Sequence, residues 1–477
     1  MNLSDKCREI SRLSDEIMRC GRCGFCQNVC PVYQVTGHES GVARGRNMCA
    51  KELVVGSLEL SRENEAFFTE CLLCRACVDS CFSGVKTDEI VLAGRRALRR
   101  ARGTSPVHKY IFETLLPDHR KLGKLIRLAS STHRLISAEI VSALRMFGWL
   151  GVPKAQHAAR TLAQTGSFLN DIPQQFLRER FSASPGLFQE NRGHDAASCP
   201  RFSQAHPSGV GDGAALFIGC GVNFMFPHVG EATATVLRAL GYEVTIVDHG
   251  CCGLPAYTHG ALYAATRMAT MNIRAFSSLR EHIVVTDCSS CASFLKEYPQ
   301  LLSLGSEGDT QLLKEAGQFS ARVRDITEVL GDRRGGCEAA YSQRKWGQTR
   351  HIGSVPIFSE GRFMRVTFHD PCHLSRHQKL SRLPRMTLRS LPGADFVDMK
   401  EADWCCGGAG AFAVEHPDLS LKILERKVEN ISASGADVVA TTCPACLMQL
   451  RSGLSATRSK TRAMHLVEVV RECLRHA

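Results

Sequence analysis

The sequence predicts an α/β protein with a helical N-terminal domain, a helical middle segment and two duplicated α/β units. Three observations carry that expectation. The run C-x2-C-x2-C-x3-C occurs twice near the N-terminus, and a five-cysteine arrangement occurs twice in the C-terminal half. Around that second arrangement, short apolar runs alternate with stretches of helical periodicity. The expected boundaries are 1–100 for the first domain, 101–212 for a basic helical segment and linker, and 213–330 and 360–475 for the two α/β units.

The chain has 477 residues, 23 of them cysteine. It is too long to need disulfides in place of a core, and an odd, unevenly spaced set of cysteines fits a paired framework poorly. Metal ligation fits better. The first residues carry Asp5, Lys6 and Glu9 with no apolar run, so no secretory signal is expected. The nearest approach to a membrane span, Ile136 to Pro153, is broken by Glu139 and Arg145. The expected location is therefore cytoplasmic, at most peripheral on the inner face of the cell membrane, where thiolates stay reduced.

The first run is Cys20, Cys23, Cys26 and Cys30, followed by Pro31; the second is Cys71, Cys74, Cys77 and Cys81, followed by Phe82. This spacing holds [4Fe–4S] clusters in bacterial ferredoxins, with the fourth cysteine of each run serving the other cluster. On that rule one cluster takes Cys20, Cys23, Cys26 and Cys81, and the other takes Cys71, Cys74, Cys77 and Cys30. Structural zinc needs only four ligands, usually as two separated pairs, and explains two runs of four less well. The insert between the runs, with Ala43-Arg44-Gly45-Arg46-Asn47-Met48 and a helix running toward Gly56, resembles the helical ferredoxin domains of respiratory dehydrogenase subunits. Cys49 lies in that helix, outside both runs, and reads as a small core residue.

The middle segment carries no ligand constellation. Val91 to Leu150 holds 12 Lys/Arg against 3 Asp/Glu, much of the chain's formal +12 charge. Leu122, Ile126, Ala129, His133, Ile136, Ile140, Leu144 and Phe147 follow helical spacing, flanked by Arg120, Lys121, Lys124, Arg127 and Arg134. Two readings stand side by side: a surface for anionic lipid or an acidic partner, or a helix packed on the protein's own core. Nucleic acid is not an expected partner, since aromatics are sparse there and no binding motif is present. Ser182 to Asp212 reads as a linker.

The first five-cysteine copy is Cys220, Cys251-Cys252-Gly253 and Cys288-x2-Cys291; the second is Cys372, Cys405-Cys406-Gly407 and Cys443-x2-Cys446. Strands are expected at 214–218, 243–247, 282–286, 365–369 and 437–440, and a helix at 228–240. The cysteines then fall at strand ends, where loops meet helix N-termini and sites form in open α/β sheets. Tyr298 reads as a packed aromatic at a helix start. Gly407-Gly408-Ala409-Gly410 misses the spacing of a dinucleotide loop, and no flavin or nicotinamide fingerprint is visible. Hydride chemistry is therefore expected in another chain.

The twice-repeated C…CCG…C-x2-C pattern resembles the cysteine-rich CCG domain of the heterodisulfide reductase and glycolate oxidase iron–sulfur families. His369-Asp-Pro-Cys-His373, Glu401-Ala-Asp-Trp-Cys-Cys-Gly407 and Leu424-Glu-Arg-Lys-Val-Glu-Asn430 resemble the glycolate oxidase iron–sulfur subunit. Relatives of that family are the lactate-utilisation iron–sulfur proteins and a subunit of anaerobic glycerol-3-phosphate dehydrogenase. The resemblance covers 1–100 and 213–475. It implies an electron-transfer subunit of a glycolate or lactate dehydrogenase complex, taking electrons from an FAD-containing partner and passing them to quinone, at the membrane surface, or to another acceptor. It assigns no catalytic residue to this chain. Glycolate oxidase-type subunits commonly lack one cysteine of each terminal pair, whereas this chain keeps both and in that respect resembles the heterodisulfide reductase catalytic subunit. That likeness implies two further [4Fe–4S] clusters of non-cubane form and, as an alternative function, disulfide reduction at them. A cubane on four of the five cysteines, or zinc in one copy, stays open. His369 and His373 read as donors to a cluster or as structural histidines. Cys7, Cys49, Cys199, Cys337 and Cys473 lie outside every motif.

Overall fold

The computed structural model describes residues 8–61, 63–135, 172–183, 213–305, 309–331, 364–410 and 412–475. The sequence expectations for 136–171, for the linker beyond 183, and for Cys7, Cys199 and Cys337 lie outside the described residues.

The N-terminal domain is helical. Short helices Phe25–Val29 and Ala76–Asp79 follow the middle of each cysteine run and pack together. Pro31 opens helix Pro31–Thr36, where its fixed φ suits the first turn and its missing N–H costs nothing. The insert between the runs forms the helix Ala43–Val55, which ends at Gly56 with φ 85°, a conformation that favours glycine. Helix Thr87–Arg102 carries Asp88 and Glu89 in its first turn and Arg99, Arg100 and Arg102 in its last, each matching the helix dipole.

In the middle segment, helix His119–Leu135 packs one face on the protein's own core. Leu122 and Ile126 pack against Phe176 and Phe224, and Gly123 lies so close to Phe176 that a Cβ would sit 2.9 Å from its ring. Its other face exposes Arg120, Lys121 and Lys124 together with Leu125 and Leu128. No helix among the described residues is long and apolar enough to cross a membrane.

The two C-terminal units each form a four-stranded parallel sheet. Strands β1 (213–216), β2 (243–246), β3 (283–286) and β4 (323–325) take the order β2-β1-β3-β4; β5 (364–368), β6 (394–396), β7 (438–441) and β8 (462–465) take β6-β5-β7-β8. The strands expected from the sequence appear within a residue or two. Three others, β4, β6 and β8, gave no apolar run: each is three or four residues long and carries a charged residue or histidine, such as Arg324, Asp395 or His465. Parallel strands buried by crossover helices explain the Val- and Ala-rich β1, β3 and β7.

The copies pack reciprocally. The helix after β4 (Ile326–Gly331) lies on the helix after β5 (Arg382–Ser390), and the helix after β8 (Leu466–Arg475) lies on the helix after β1 (Pro227–Ala239). One apolar core runs through both, from Leu216 and Val236 to Val366, Leu388 and Val470. Close backbone approach is required at Gly407: it has φ 81°, and a Cβ would sit 2.6 Å from the Ser420 carbonyl oxygen. Gly407→Ala is therefore expected to cost ~1–3 kcal/mol, lowering Tm. Gly317→Ala, in an exposed helix with open space at the Cβ, is expected to raise stability by ~0.5–1 kcal/mol. Differential scanning calorimetry on the two variants checks both signs.

Candidate metal centres

Both N-terminal runs bend the same way around their middle cysteine. Arg22 (φ 55°) and Gly24 (φ 87°) flank Cys23, and Leu73 (φ 53°) and Arg75 (φ 59°) flank Cys74. Left-handed residues in such turns can aim successive N–H groups toward one point, the geometry of anion-binding concavities. Three non-glycine residues hold this conformation at a cost of ~1 kcal/mol or more each, which marks the two loops as functional.

The structure brings Cys30 of the first run to the second. Cys71, Cys74 and Cys30 all act electrostatically on the Cys77 thiol, and burial, the largest influence, pushes Cys77 well up and Cys74 up to about 11. The buried guanidinium of Arg46 acts in the opposite sense on Cys30 and Cys77, and it is fixed by donating to the Phe67 and Glu70 carbonyls at 2.8 and 3.1 Å. Phe82, next to Cys81, meets Phe25, the neighbour of Cys26, at 4.8 Å between ring centroids. Cys23 is exposed, while Cys30 and Cys74 are buried. Cys49 lies in the helix 43–55, half-buried, with its thiol raised to about 11 by burial.

In the C-terminal units, the five cysteines of each copy gather at the C-terminal ends of the strands, where β1 meets β3 and β5 meets β7. Cys288 and Cys443 cap the helices Ser289–Lys296 and Pro444–Ala456, placing each thiol at a positive helix end. Each CCG loop donates one N–H to its own first sulfur: Gly253 to Cys251 Sγ and Gly407 to Cys405 Sγ, both at 3.5 Å.

The two copies also touch through these motifs. Ser289 N–H donates to the Thr442 carbonyl at 2.9 Å, their hydroxyls are 2.7 Å apart, and Ser290 Oγ is 3.3 Å from Cys443 Sγ. Neighbouring thiols interact in an unbroken line: Cys220, Cys251, Cys252, Cys291, Cys288, Cys443, Cys446, Cys406 and Cys405. Cys252 is drawn down by Cys251 and Cys291, Cys406 by Cys405 and Cys446, and Cys443 by Cys288 and Cys446. Their partners Cys291, Cys405 and Cys446 are pushed up, first by those same neighbours and then by burial. Cys372 is raised chiefly by burial, and then by Cys74 of the N-terminal domain.

That last relation locates the junction of the domains. Cys30, Leu72, Cys74 and Ala76 share a core with Trp404, Cys405 and Phe412. His377 Nε2 lies 3.3 Å from the Leu73 carbonyl, and Lys379 Nζ donates to Asp79 at 2.7 Å. The Arg376 guanidinium lies among Cys74, Cys372 and Cys405. A second buried cation, Lys427, donates to the carbonyls of Glu401 and Ala402 just before the second CCG loop, and burial lowers it to about 8. Arg426 and Asn430 hold the Glu401 carboxylate, which explains why the stretch 424–430 accompanies the CCG motif. Tyr298 opens the helix Tyr298–Gly305, fully buried, and its hydroxyl donates to the Cys252 carbonyl at 2.7 Å.

Arg46, Arg376 and Lys427 carried no signal as single residues, because a buried cation and a solvated one look alike in sequence. A hint lies at Gly45, where a Cβ would sit 2.0 Å from the Glu39 carbonyl oxygen, so a glycine between two arginines marked a tight contact. A set of buried thiols beside three cations and inward N–H groups fits a metal-bearing anion such as an iron–sulfur cluster.

Known proteins give the same grouping. Residues 16–85 match the family model described as a 4Fe-4S dicluster domain, and residues 214–296 and 366–451 match the cysteine-rich domain CCG. The chain is 28% identical over 473 residues to the probable glycolate oxidase iron-sulfur subunit of Bacillus subtilis, covering 97% of this chain and 95% of that one. It is 25% identical over 479 residues to the glycolate oxidase iron-sulfur subunit of Escherichia coli, covering 99% and 98%. Lactate utilization protein A of an Exiguobacterium species is 28% identical over 264 residues, 55% of this chain and 98% of that protein.

With metal removed anaerobically, exposed Cys23 should be alkylated first and buried Cys74, Cys251, Cys252, Cys405 and Cys443 last. Mass-spectrometric footprinting of the native chain reads that order, and early labelling of the buried set would contradict the geometry.

Proposed function

We propose that this chain, with its dicluster domain and paired cysteine-rich CCG domains, is the iron–sulfur electron-transfer subunit of a flavin-dependent 2-hydroxy acid dehydrogenase complex of the glycolate or lactate type. The observation that carries the reading is the contiguous series of thiol groups from Cys26 through Cys30, Cys74 and Cys372 to Cys220. Clusters bound there would each take up and release one electron at a time. Cys20, Cys23, Cys26 and Cys81 hold one [4Fe–4S] cluster; Cys71, Cys74, Cys77 and Cys30 hold the other. Cys220, Cys251, Cys252, Cys288 and Cys291 hold a third metal centre, and Cys372, Cys405, Cys406, Cys443 and Cys446 a fourth.

The chain's own residues order this series. Phe25 and Phe82, beside Cys26 and Cys81, pack together at the first site. Arg376 stands between the second site and Cys372, and Ser290 stands between the two CCG copies. An FAD-containing partner delivers electrons near Cys23, having taken two from its hydroxy acid. They leave beside the first CCG copy, where helix 119–135 covers Cys220 and presents Arg120, Lys121, Lys124, Leu125 and Leu128 outward. That basic, partly apolar face suits an anionic membrane surface, where a quinone acceptor resides.

Two measurements test the reading. Anaerobically purified protein should contain about 16 iron atoms per chain if all four centres are [4Fe–4S]; roughly eight iron with two zinc would remove clusters from the CCG copies. Cys81→Ser should alter the electron paramagnetic resonance signal of the first-run cluster and spare the second, whereas damage confined to the second would refute the crossed ligation. For the membrane face, Lys121→Glu with Lys124→Glu should weaken sedimentation with phosphatidylglycerol vesicles by tenfold or more, at ~1 kcal/mol per basic residue. Unchanged partition would leave helix 119–135 as packing alone.

A further inference from the structure

The second copy contains a buried imidazole with no partner. His369 follows strand β5 and is 1% exposed, and among the described residues neither ring nitrogen has a hydrogen-bond partner. Its backbone N–H donates to the Ala440 carbonyl at 2.9 Å. The next residue, Asp370, is locked by two hydrogen bonds from Arg385 at 2.8 and 2.7 Å. The ring is therefore held on both sides by its own backbone. Leaving such a group unsatisfied costs ~1–3 kcal/mol, and among the described residues the Cys406 thiol is the neighbour that acts on the ring.

Sulfur stands where the missing partner should be. A ring nitrogen of His369 and the sulfurs of Cys406 and Cys446 all lie within 4.8 Å of one another, and the two sulfurs are 3.3 Å apart. Donors gathered this tightly suit a single metal atom.

The first copy shows what the position looks like without such a role. Phe217 occupies the matching place, three residues before Cys220, and its N–H donates to the Val285 carbonyl at 2.8 Å. Its ring stacks on His249 at 3.8 Å. His249 is fully engaged: Nε2 accepts from the Ile218 N–H at 3.0 Å, and Nδ1 lies 2.7 Å from the Gly250 carbonyl. His373 is engaged as well, with Ser290 Oγ 3.2 Å and Cys372 Sγ 3.6 Å from its Nδ1. Only His369, among these three histidines, faces the sulfurs with both nitrogens unused.

We infer that His369 is a nitrogen ligand of the second copy's metal centre, sharing one metal atom with Cys406 and Cys446, while the first copy's centre is held by sulfur alone. The inference rests on the reading of the second copy as a metal centre. It makes the two duplicated sites chemically unequal. A neutral imidazole adds a donor without adding charge, and ligand identity is one of the levers that set a cluster's potential.

The test uses the full chain, enriched in 57Fe and purified anaerobically, as wild type and as His369→Phe, which reproduces the arrangement of the first copy. His373→Phe is the control. Mössbauer spectra see every iron, and pulsed electron paramagnetic resonance with 15N-labelled histidine identifies bound nitrogen. The expected result is one iron environment, and one directly coordinated histidine nitrogen, present in wild type and His373→Phe but lost in His369→Phe. The midpoint potential of one centre should shift in His369→Phe, with the other three unchanged. If the metal content assigns zinc to this site, X-ray absorption at the zinc edge reads the same nitrogen. Metal bound with all-sulfur ligation, or a nitrogen signal that survives His369→Phe, overturns the inference and leaves the centre intact. Metal content unchanged in Cys406→Ser and Cys446→Ser would instead remove the centre, and the inference with it.

Discussion

Thiolate sulfur can be buried only where positive charge is buried beside it, and most of the unusual features of this chain answer that requirement. Desolvation disfavours every ionised cysteine in the interior. The compensation is distributed: Arg46 beside Cys30 and Cys77, Arg376 among Cys74, Cys372 and Cys405, and Lys427 behind the second CCG loop. Helix N-termini at Cys288 and Cys443 and backbone N–H groups at Gly253 and Gly407 add to it. The left-handed residues around Cys23 and Cys74 serve the same end, since they aim the backbone rather than a side chain.

The parallel sheets supply rigidity for this arrangement. In each CCG copy the first cysteine and the terminal pair sit just past a strand end or in the first turn of a helix, while the adjacent cysteine pair lies in the loop between. The strand order β2-β1-β3-β4 places the reversal between β1 and β3, and Cys220 and Cys288 leave the sheet on either side of it. Because both copies present this edge to one another, their terminal cysteine pairs meet through Ser289, Ser290 and Thr442. The N-terminal domain contacts both copies: Cys74 shares a core with Trp404 and Cys405 of the second, and Arg95 donates to the Thr258 carbonyl of the first at 2.7 Å.

The grouping of the cysteines was legible in the sequence because their spacing within each run and each CCG copy is a local pattern. The strands β1, β3, β5 and β7 were legible because burial on both faces leaves a run of apolar residues. Strands β4, β6 and β8 were not, since three or four residues that include Arg324, Asp395 or His465 resemble a loop. What joins the sites was also hidden. That Cys74 lies near Cys372, or that Ser290 reaches Cys443, depends on elements about 300 and 150 residues apart in the chain, at separations where local pattern carries no information. The basic helix illustrates the intermediate case: its periodicity announced an apolar face, but only packing on Phe176 and Phe224 shows that the face is covered while the lysines and two leucines are not.

The reciprocal packing of the two sheets ties the folding of one copy to that of the other. A contact in which the helix after one copy's last strand covers the helix after the other copy's first strand, and the reverse, is the pattern of an isologous dimer. A solitary unit of this kind would leave Leu237, Val329 and their neighbours facing water along the whole seam. The two halves are therefore expected to fold as a pair rather than singly, even though they differ in detail, with Phe217 in one and His369 in the other.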